Sequence, residues 1–286
     1  MKKSIWSGLL GCLLTLALAA AESAAGAPDA VVYGSNPAAA HRLRCDDAEI
    51  YYEVYGSGKP LVLLHGGLFG YIDEFCDFIP ELARKYQVIA IATRGHGRSE
   101  LGRQALSYEL FARDAFAVLE QVSKEKALVL GFSDGAITSY AMALQHPERL
   151  ERVIAIGGGP LSIADYTPKA LEEAKTLSGE GLARAAPDFV VGRKKLMPEP
   201  GRWVEFVDRL TALYRSPAYV DQERIRDVPV PFLLVQGELD PYASPETFVR
   251  LYRSFQHAQL AIVPGCGHLV LMERPQLARE LIRGFF

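Results

Sequence analysis

Cysteine is sparse in this sequence, and charge of neither sign is in excess. Only four cysteines occur among 286 residues, and Cys12 falls in an N-terminal stretch expected to be removed. Cys45, Cys76 and Cys266 remain, an odd number that permits at most one internal disulfide. No disulfide framework can therefore carry the fold. Lys and Arg number 31 against 34 Asp and Glu, a formal charge of −3 with no basic run. A nucleic-acid partner, which needs a concentrated positive face, is not expected. Beyond residue 21 no apolar stretch is long enough for a bilayer core of ~30 Å, so no stable membrane anchor is expected. A chain that is 49% hydrophobic and 23% charged is neither disordered nor collagen-like, and it is long enough to bury a sizeable core.

The N-terminus has a pattern of its own. Lys2 and Lys3 precede an almost wholly apolar run, Ile5 to Ala21, which closes on Ala19-Ala20-Ala21 before Glu22. A positive start, a short apolar run and small residues at its end predict a secretory signal peptide over 1–21 and a secreted or periplasmic protein. Residues 22–40, rich in Ala, Gly, Pro and Ser, are expected to be a flexible lead-in to a domain over 41–286.

Within that domain strand and helix patterns alternate. Glu49 to Tyr55 alternates as a half-buried strand does. Leu61–Leu64, Val88–Ala92, Ala127–Leu130, Val153–Ile156, Phe232–Val235 and Leu260–Val263 are short apolar runs that suit parallel strands buried on both faces. Between them, Leu110, Phe111, Ala115, Val118, Leu119 and Val122 make one helical stripe, and Ile137, Tyr140, Ala141 and Leu144 make another. This alternation predicts a doubly wound α/β sheet, in which chemistry sits in the loops beyond the carboxyl ends of the strands.

One such loop is Gly131-Phe132-Ser133-Asp134-Gly135, between the Ala127–Leu130 strand and the Ile137–Leu144 helix. It is a G-x-S-x-G turn in the strand–turn–helix setting that lifts a serine hydroxyl clear of the backbone, at a helix end favouring negative charge. A serine needs a base to become a nucleophile. Of the six histidines, His268 is the one in a tight loop after a later strand, Pro264-Gly265-Cys266-Gly267-His268. The base in turn needs a carboxylate to fix its tautomer. Asp240 follows the Phe232–Val235 strand, 107 residues past Ser133 and 28 before His268, with Glu238 as the competing acid. The order Ser, Asp, His is the one this architecture produces.

Acyl transfer also requires donors for an oxyanion. The Asp134 amide is one candidate; the other is Gly67 in His65-Gly66-Gly67-Leu68, with Leu68 as the alternative. His65 reads as a structural loop residue. Thr93-Arg94-Gly95-His96-Gly97-Arg98-Ser99 is glycine-rich but lacks G-K-[ST], so it reads as a structural turn and not a phosphate loop. Cys266 reads as a small buried turn residue. Asp134 has two readings, as a first-turn acid facing the helix dipole or as a partner for a cationic substrate group.

These motifs, in this order and spacing over roughly residues 45–286, resemble the α/β-hydrolase superfamily. Ser133-Asp134-Gly135 resembles the serine esterases of the valacyclovir-hydrolase and enol-lactonase kind. Serine at the elbow departs from haloalkane dehalogenases, and Leu68-Phe69 departs from the His-Gly-Gly-Pro-Gly of proline iminopeptidases. The resemblance implies a mostly parallel eight-stranded sheet, a Ser133–His268–Asp240 triad without a cofactor, and a helical lid inserted after the sixth strand. Residues 160–229 are the segment expected to form it. Helical spacing there covers Ala170–Leu177 and Trp203–Tyr214, with Trp203, Phe206, Leu210 and Leu213 on one face. Arg193, Lys194 and Lys195 are expected on a solvated face. The implied activity is hydrolysis of a small ester or lactone as substrate. A cofactor-free perhydrolase or haloperoxidase with the same triad, and a non-catalytic ligand-binding protein of this fold, are the alternatives.

Overall fold

The computed structural model describes residues 31–286. The expected signal peptide and residues 22–30 of the lead-in lie outside the described residues. Eight strands form one sheet: β1 Ala40–Cys45, β2 Ala48–Tyr55, β3 Pro60–Leu64, β4 Gln87–Ile91, β5 Ala127–Phe132, β6 Leu150–Ile156, β7 Phe232–Gly237 and β8 Ala258–Val263. Their order across the sheet is β1-β2-β4-β3-β5-β6-β7-β8. β1 and β2 run antiparallel to each other, as do β2 and β4, and every other pairing is parallel.

The unbroken apolar runs follow from burial on both faces. Leu61, Leu63, Val88, Ala90, Leu128 and Leu130 pack into one core layer. Val62, Leu64, Ile89, Ile91 and Val129, alternating with them, pack into the other. Each large aliphatic side chain so buried contributes about 1.5–3 kcal/mol. Helices α1 Ile79–Leu82, α2 Tyr108–Val122, α3 Asp134–Gln145, α9 Pro245–Ser254, α10 Val270–Glu273 and α11 Pro275–Phe285 surround the sheet. Ser107 caps α2 and Ser244 caps α9, each accepting from an amide of the first turn. Among the described residues no helix is long and apolar enough to cross a membrane.

Strand order reverses at β3: the chain moves outward to β4 and then returns to β5 on the other side. A crevice opens at such a reversal, beyond the carboxyl ends of β3 and β5. The loops His65–Gly70 and Ser133–Asp134 flank it.

Two parts of the fold differ from the sequence expectation. The strand patterns read as seven strands, and β1 was not among them. Ala40–Cys45 carries His41, Arg42 and Arg44 and lies at the sheet edge, partly exposed, so it lacks the apolar signature of its neighbours. It joins β2 through Asp46-Asp47, with Asp46 at φ +51°, a left-handed position that aspartate tolerates better than most residues. The second difference is that the lead-in is anchored at its end. Gly34 and Asn36 donate their amides to the carboxylate of Glu53, at 2.7 and 2.9 Å, and the Tyr71 hydroxyl donates to the Gly34 carbonyl. Glu53 is fully buried on β2 and also accepts from the hydroxyls of Tyr51 and Tyr55. A buried carboxylate must find donors, and this segment supplies two of them.

Between β6 and β7 lie α4 Pro168–Thr176, α5 Gly179–Ala185, α6 Pro187–Leu196, α7 Trp203–Tyr214 and α8 Gln222–Ile225. Trp203, Phe206, Leu210 and Leu213 of α7 are buried, as the spacing predicts. Arg193 on α6 departs from its expected solvated face. It donates to the Phe69 carbonyl at 2.7 Å and pairs with Asp73 at 3.1 Å, whereas Lys194 and Lys195 are exposed.

Candidate active site

Ser133 connects β5 to α3 with φ +54° and ψ −116°. A non-glycine residue held there stores roughly 1–3 kcal/mol of strain, which the surroundings must enforce. Its amide donates to the Ile156 carbonyl of β6 at 2.7 Å, and its carbonyl accepts from Ala136 and Ile137 as α3 begins. The flanking glycines are required by close packing. A Cβ on Gly131 would stand 2.3 Å from the Gly135 carbonyl oxygen, and one on Gly135 would stand 2.0 Å from that of Leu64.

The loops after β7 and β8 bring two distant residues to this serine. The Ser133 hydroxyl lies 2.9 Å from His268 Nε2, and His268 Nδ1 lies 2.7 Å from Asp240 Oδ2. The network assigns the Nδ1–H tautomer, which donates to Asp240 and leaves Nε2 to accept from Ser133. The second oxygen of Asp240 accepts from the Tyr242 amide at 2.9 Å. Glu238, the competing acid, instead braces the turn from an exposed position by accepting from the Gly265 amide at 2.9 Å. The loops carrying Asp240 and His268 touch so closely that a Cβ on Gly237 would stand 1.9 Å from the Gly267 carbonyl oxygen. Gly157, at φ +69°, leaves room for the imidazole; a Cβ there would reach His268 Cε1 at 3.0 Å. Cys266 is buried in its turn as expected, and Cys45, Cys76 and Cys266 are all free thiols.

Burial disfavours a charged His268, but the charge and hydrogen bond of Asp240, with smaller help from the Glu74 and Asp134 carboxyls, outweigh it, and the imidazole titrates above its usual value. A protonated imidazole cannot take a proton from Ser133. Activity is therefore expected to rise with pH along an acid limb whose midpoint lies above 6.5, the ordinary histidine value. Asp240→Asn removes the charge that raises it and should move the limb downward. A kcat/KM profile of both proteins checks this, and a wild-type limb below 6.5 contradicts it.

Beyond β3, residues 65–70 make a loop fixed at several points. His65 donates from Nδ1 to the Gly66 carbonyl at 2.6 Å and accepts the Thr93 amide at Nε2 at 3.1 Å. Burial lowers its pKa to about 4, so it stays neutral and structural. The Leu68 amide donates to the Tyr214 hydroxyl at 3.0 Å, and that hydroxyl donates to Asp134 Oδ2, also at 3.0 Å. Leu68 is thereby occupied. Among the described residues neither the Gly67 nor the Asp134 amide donates to a protein acceptor. Gly67 admits no side chain, since a Cβ would lie 2.1 Å from Tyr214 Oη and 2.5 Å from Asp134 Oδ2. Burial raises the Asp134 carboxyl to about 6, against the hydroxyls of Tyr214 and Tyr108 that favour its charged form. Its first-turn place on α3 is thus joined by a tie to α7.

The glycine-rich turn after β4 is structural, as its sequence suggests. Arg94 is fully buried, with Nε donating to Asp114 Oδ2 at 2.6 Å and Nη2 to Asp114 Oδ1 at 3.0 Å. It also binds Asp47 and the Cys45 carbonyl. Among the described residues no group of three or more His, Cys, Asp or Glu is arranged to hold a metal ion.

Glu74, Tyr214 and Arg193 are the site residues that sequence reasoning missed. Tyr214 stands four residues after Leu210, on the apolar face already read for α7, so its direction was available. Glu74 belongs to no motif, and its position depends on how the 65–70 loop folds back.

Residues 61–280 match the Alpha/beta hydrolase family. The chain belongs to this family. The uncharacterized hydrolase YugF of Bacillus subtilis is 29% identical over 265 residues, covering 85% of this chain and 96% of that protein. Among solved structures, Est816, described as an N-acyl homoserine lactone degrading enzyme, superposes with a TM-score of 0.71. It is 24% identical and covers 86% of this chain and 100% of its own. The enol-lactonase from Burkholderia xenovorans LB400 gives a TM-score of 0.67 at 21% identity, covering 86% of this chain and 99% of its own. This α/β hydrolase shares its fold with the two solved structures, and its relatives make it a hydrolase.

Proposed function

We propose that this α/β hydrolase cleaves a small carboxylic ester or lactone through an acyl-enzyme on Ser133. The observation that carries the reading is the unbroken chain Ser133–His268–Asp240, at 2.9 and 2.7 Å, beside two undonated amides. His268 Nε2 takes the proton of Ser133 as Oγ attacks the carbonyl carbon. Negative charge moves onto the carbonyl oxygen, where the amides of Gly67 and Asp134 receive it. The tetrahedral intermediate collapses as His268 passes its proton to the departing alkoxide oxygen. For a lactone that oxygen stays tethered to the acyl group. Water then gives a proton to the same imidazole as it attacks the acyl carbon, and His268 passes that proton to Ser133 Oγ as the acyl bond breaks and the carboxylic acid leaves. Asp240 keeps its negative charge throughout and stabilises the imidazolium.

The helical insertion acts as a lid in this reading. Tyr214 reaches from α7 to both Leu68 and Asp134, which ties the insertion to the residues flanking the proposed oxyanion donors. A panel of p-nitrophenyl esters and lactones, run beside fluorophosphonate labelling, tests the proposal. Turnover of short-chain members and labelling of Ser133 are expected. Folded protein that does neither would refute it.

A further inference from the structure

Glu74 is a carboxyl inside the site that the acyl-transfer steps above do not use. It lies in the short turn Ile72–Phe75, and its Oε2 accepts the Gly66 amide at 2.7 Å. Both carboxyl oxygens lie over Gly66, where a Cβ would meet them at 3.2 and 3.3 Å and the Phe132 ring at 3.4 Å. As a glycine, Gly66 has a backbone that would otherwise turn freely. Its amide is held by Glu74 and its carbonyl by His65 Nδ1 at 2.6 Å. In a trans peptide the carbonyl of Gly66 and the N–H of Gly67 point in opposite directions. Fixing Gly66 on both sides therefore fixes where the Gly67 N–H points.

We propose that Glu74 is a positioning residue for acyl transfer, clamping Gly66 so that the Gly67 amide stays aimed at the oxyanion. The inference rests on the serine acyl-transfer reading. The protonation of Glu74 is consistent with this task. Burial, opposed by the Gly66 amide, pushes its carboxyl up to about 8. Asp73 on the same turn pushes in the same direction, while Arg193 of α6 and His268 beyond β8 oppose it. At neutral pH the group is a neutral acid that accepts the Gly66 N–H through its carbonyl oxygen. No full negative charge then stands beside the forming oxyanion. Above about pH 8 the carboxylate forms and opposes that charge. His268 is already matched by Asp240.

Two rates test this, fluorophosphonate phosphonylation of Ser133 and hydrolysis of a p-nitrophenyl ester, because both build charge on an oxygen facing Gly67. Glu74→Ala is expected to slow both by about tenfold to a hundredfold, with KM little changed, since misaiming a donor costs less than deleting it. Glu74→Gln keeps an oxygen for the Gly66 amide and should stay within a few-fold of wild type at pH 7. Its rate should also lack the alkaline loss centred near pH 8 that wild type shows. An alanine variant as fast as wild type, a glutamine variant as slow as alanine, or an alkaline loss persisting in glutamine would each overturn the proposal. If the alanine variant does not fold, the glutamine variant and its pH profile decide alone. Wild-type protein that is neither labelled nor active overturns the acyl-transfer reading and this inference together. Labelled, active wild type with unaffected Glu74 variants overturns this inference only.

Discussion

Ser133→Ala should lower kcat by ~10³-fold or more, on whichever ester or lactone wild type turns over best. The size follows from what is removed. Without Oγ no acyl-enzyme can form, and His268 is left to activate water that nothing places against the carbonyl. The amides of Gly67 and Asp134 remain, so some acceleration over bulk water survives. Alanine keeps the Cβ of serine, so the strained turn at φ +54° is undisturbed and folding should be unaffected. His268→Ala should fall by a similar factor. Adding it to Ser133→Ala should cost little more, because the two residues act as one unit. Steady-state kinetics on the two single variants and the double variant would show this. Near-normal turnover by folded Ser133→Ala would contradict the assignment, and losses that multiply would contradict a shared proton path.

The second large effect concerns stability. Arg94→Ala should cost about 3–5 kcal/mol, because it strands the Asp114 carboxylate in the core, and Asp114→Ala should cost less, because Arg94 keeps Asp47 as a partner. Arg94 has no exposed side-chain surface, and it ties the loop after β4 to α2, to the turn between β1 and β2, and to the Cys45 carbonyl. Loss of the guanidinium also leaves that carbonyl without its donor. Replacing the two buried members, Arg94→Met with Asp114→Leu, should recover part of the Arg94→Ala loss, since no charge is then stranded in the core and the part-exposed Asp47 can turn to solvent. Urea titration of the single and double variants measures this. An Arg94→Ala variant less than about 1 kcal/mol below wild type would show that water reaches the pair and screens it.

Much of the sheet was readable because both its faces are buried. Leu61–Leu64 and Val88–Ile91 could be apolar without interruption only if neighbours covered them on each side, and they do. The three residues of the proposed triad were readable because tight loops after buried strands leave few positions from which side chains can converge. Ser133, Asp240 and His268 occupy three of them, and the structure brings them into hydrogen-bonding contact. That the Leu68 amide, and not that of Gly67, donates to the Tyr214 hydroxyl could not be read in sequence. What the residues did not announce were contacts made by polar groups far apart along the chain. Glu74 on Gly66, Arg193 on the Phe69 carbonyl and Glu53 on Gly34 each depend on a loop folding back to meet a distant side chain. Polar residues in such places have the composition of solvated loops. β1 was missed for a related reason: as an edge strand it carries charge, and charge hides a strand from a search for apolar runs.

The hold on residues 65–70 also bears on how this enzyme could be re-engineered. Arg193 and Tyr214 come from the segment between β6 and β7, yet they grip backbone groups at the tip of the loop after β3. The inserted segment is thus not an interchangeable part. Anyone trading it for another would also unfasten the loop that carries Gly67, the proposed oxyanion donor, unless a guanidinium and a phenol were transplanted with it.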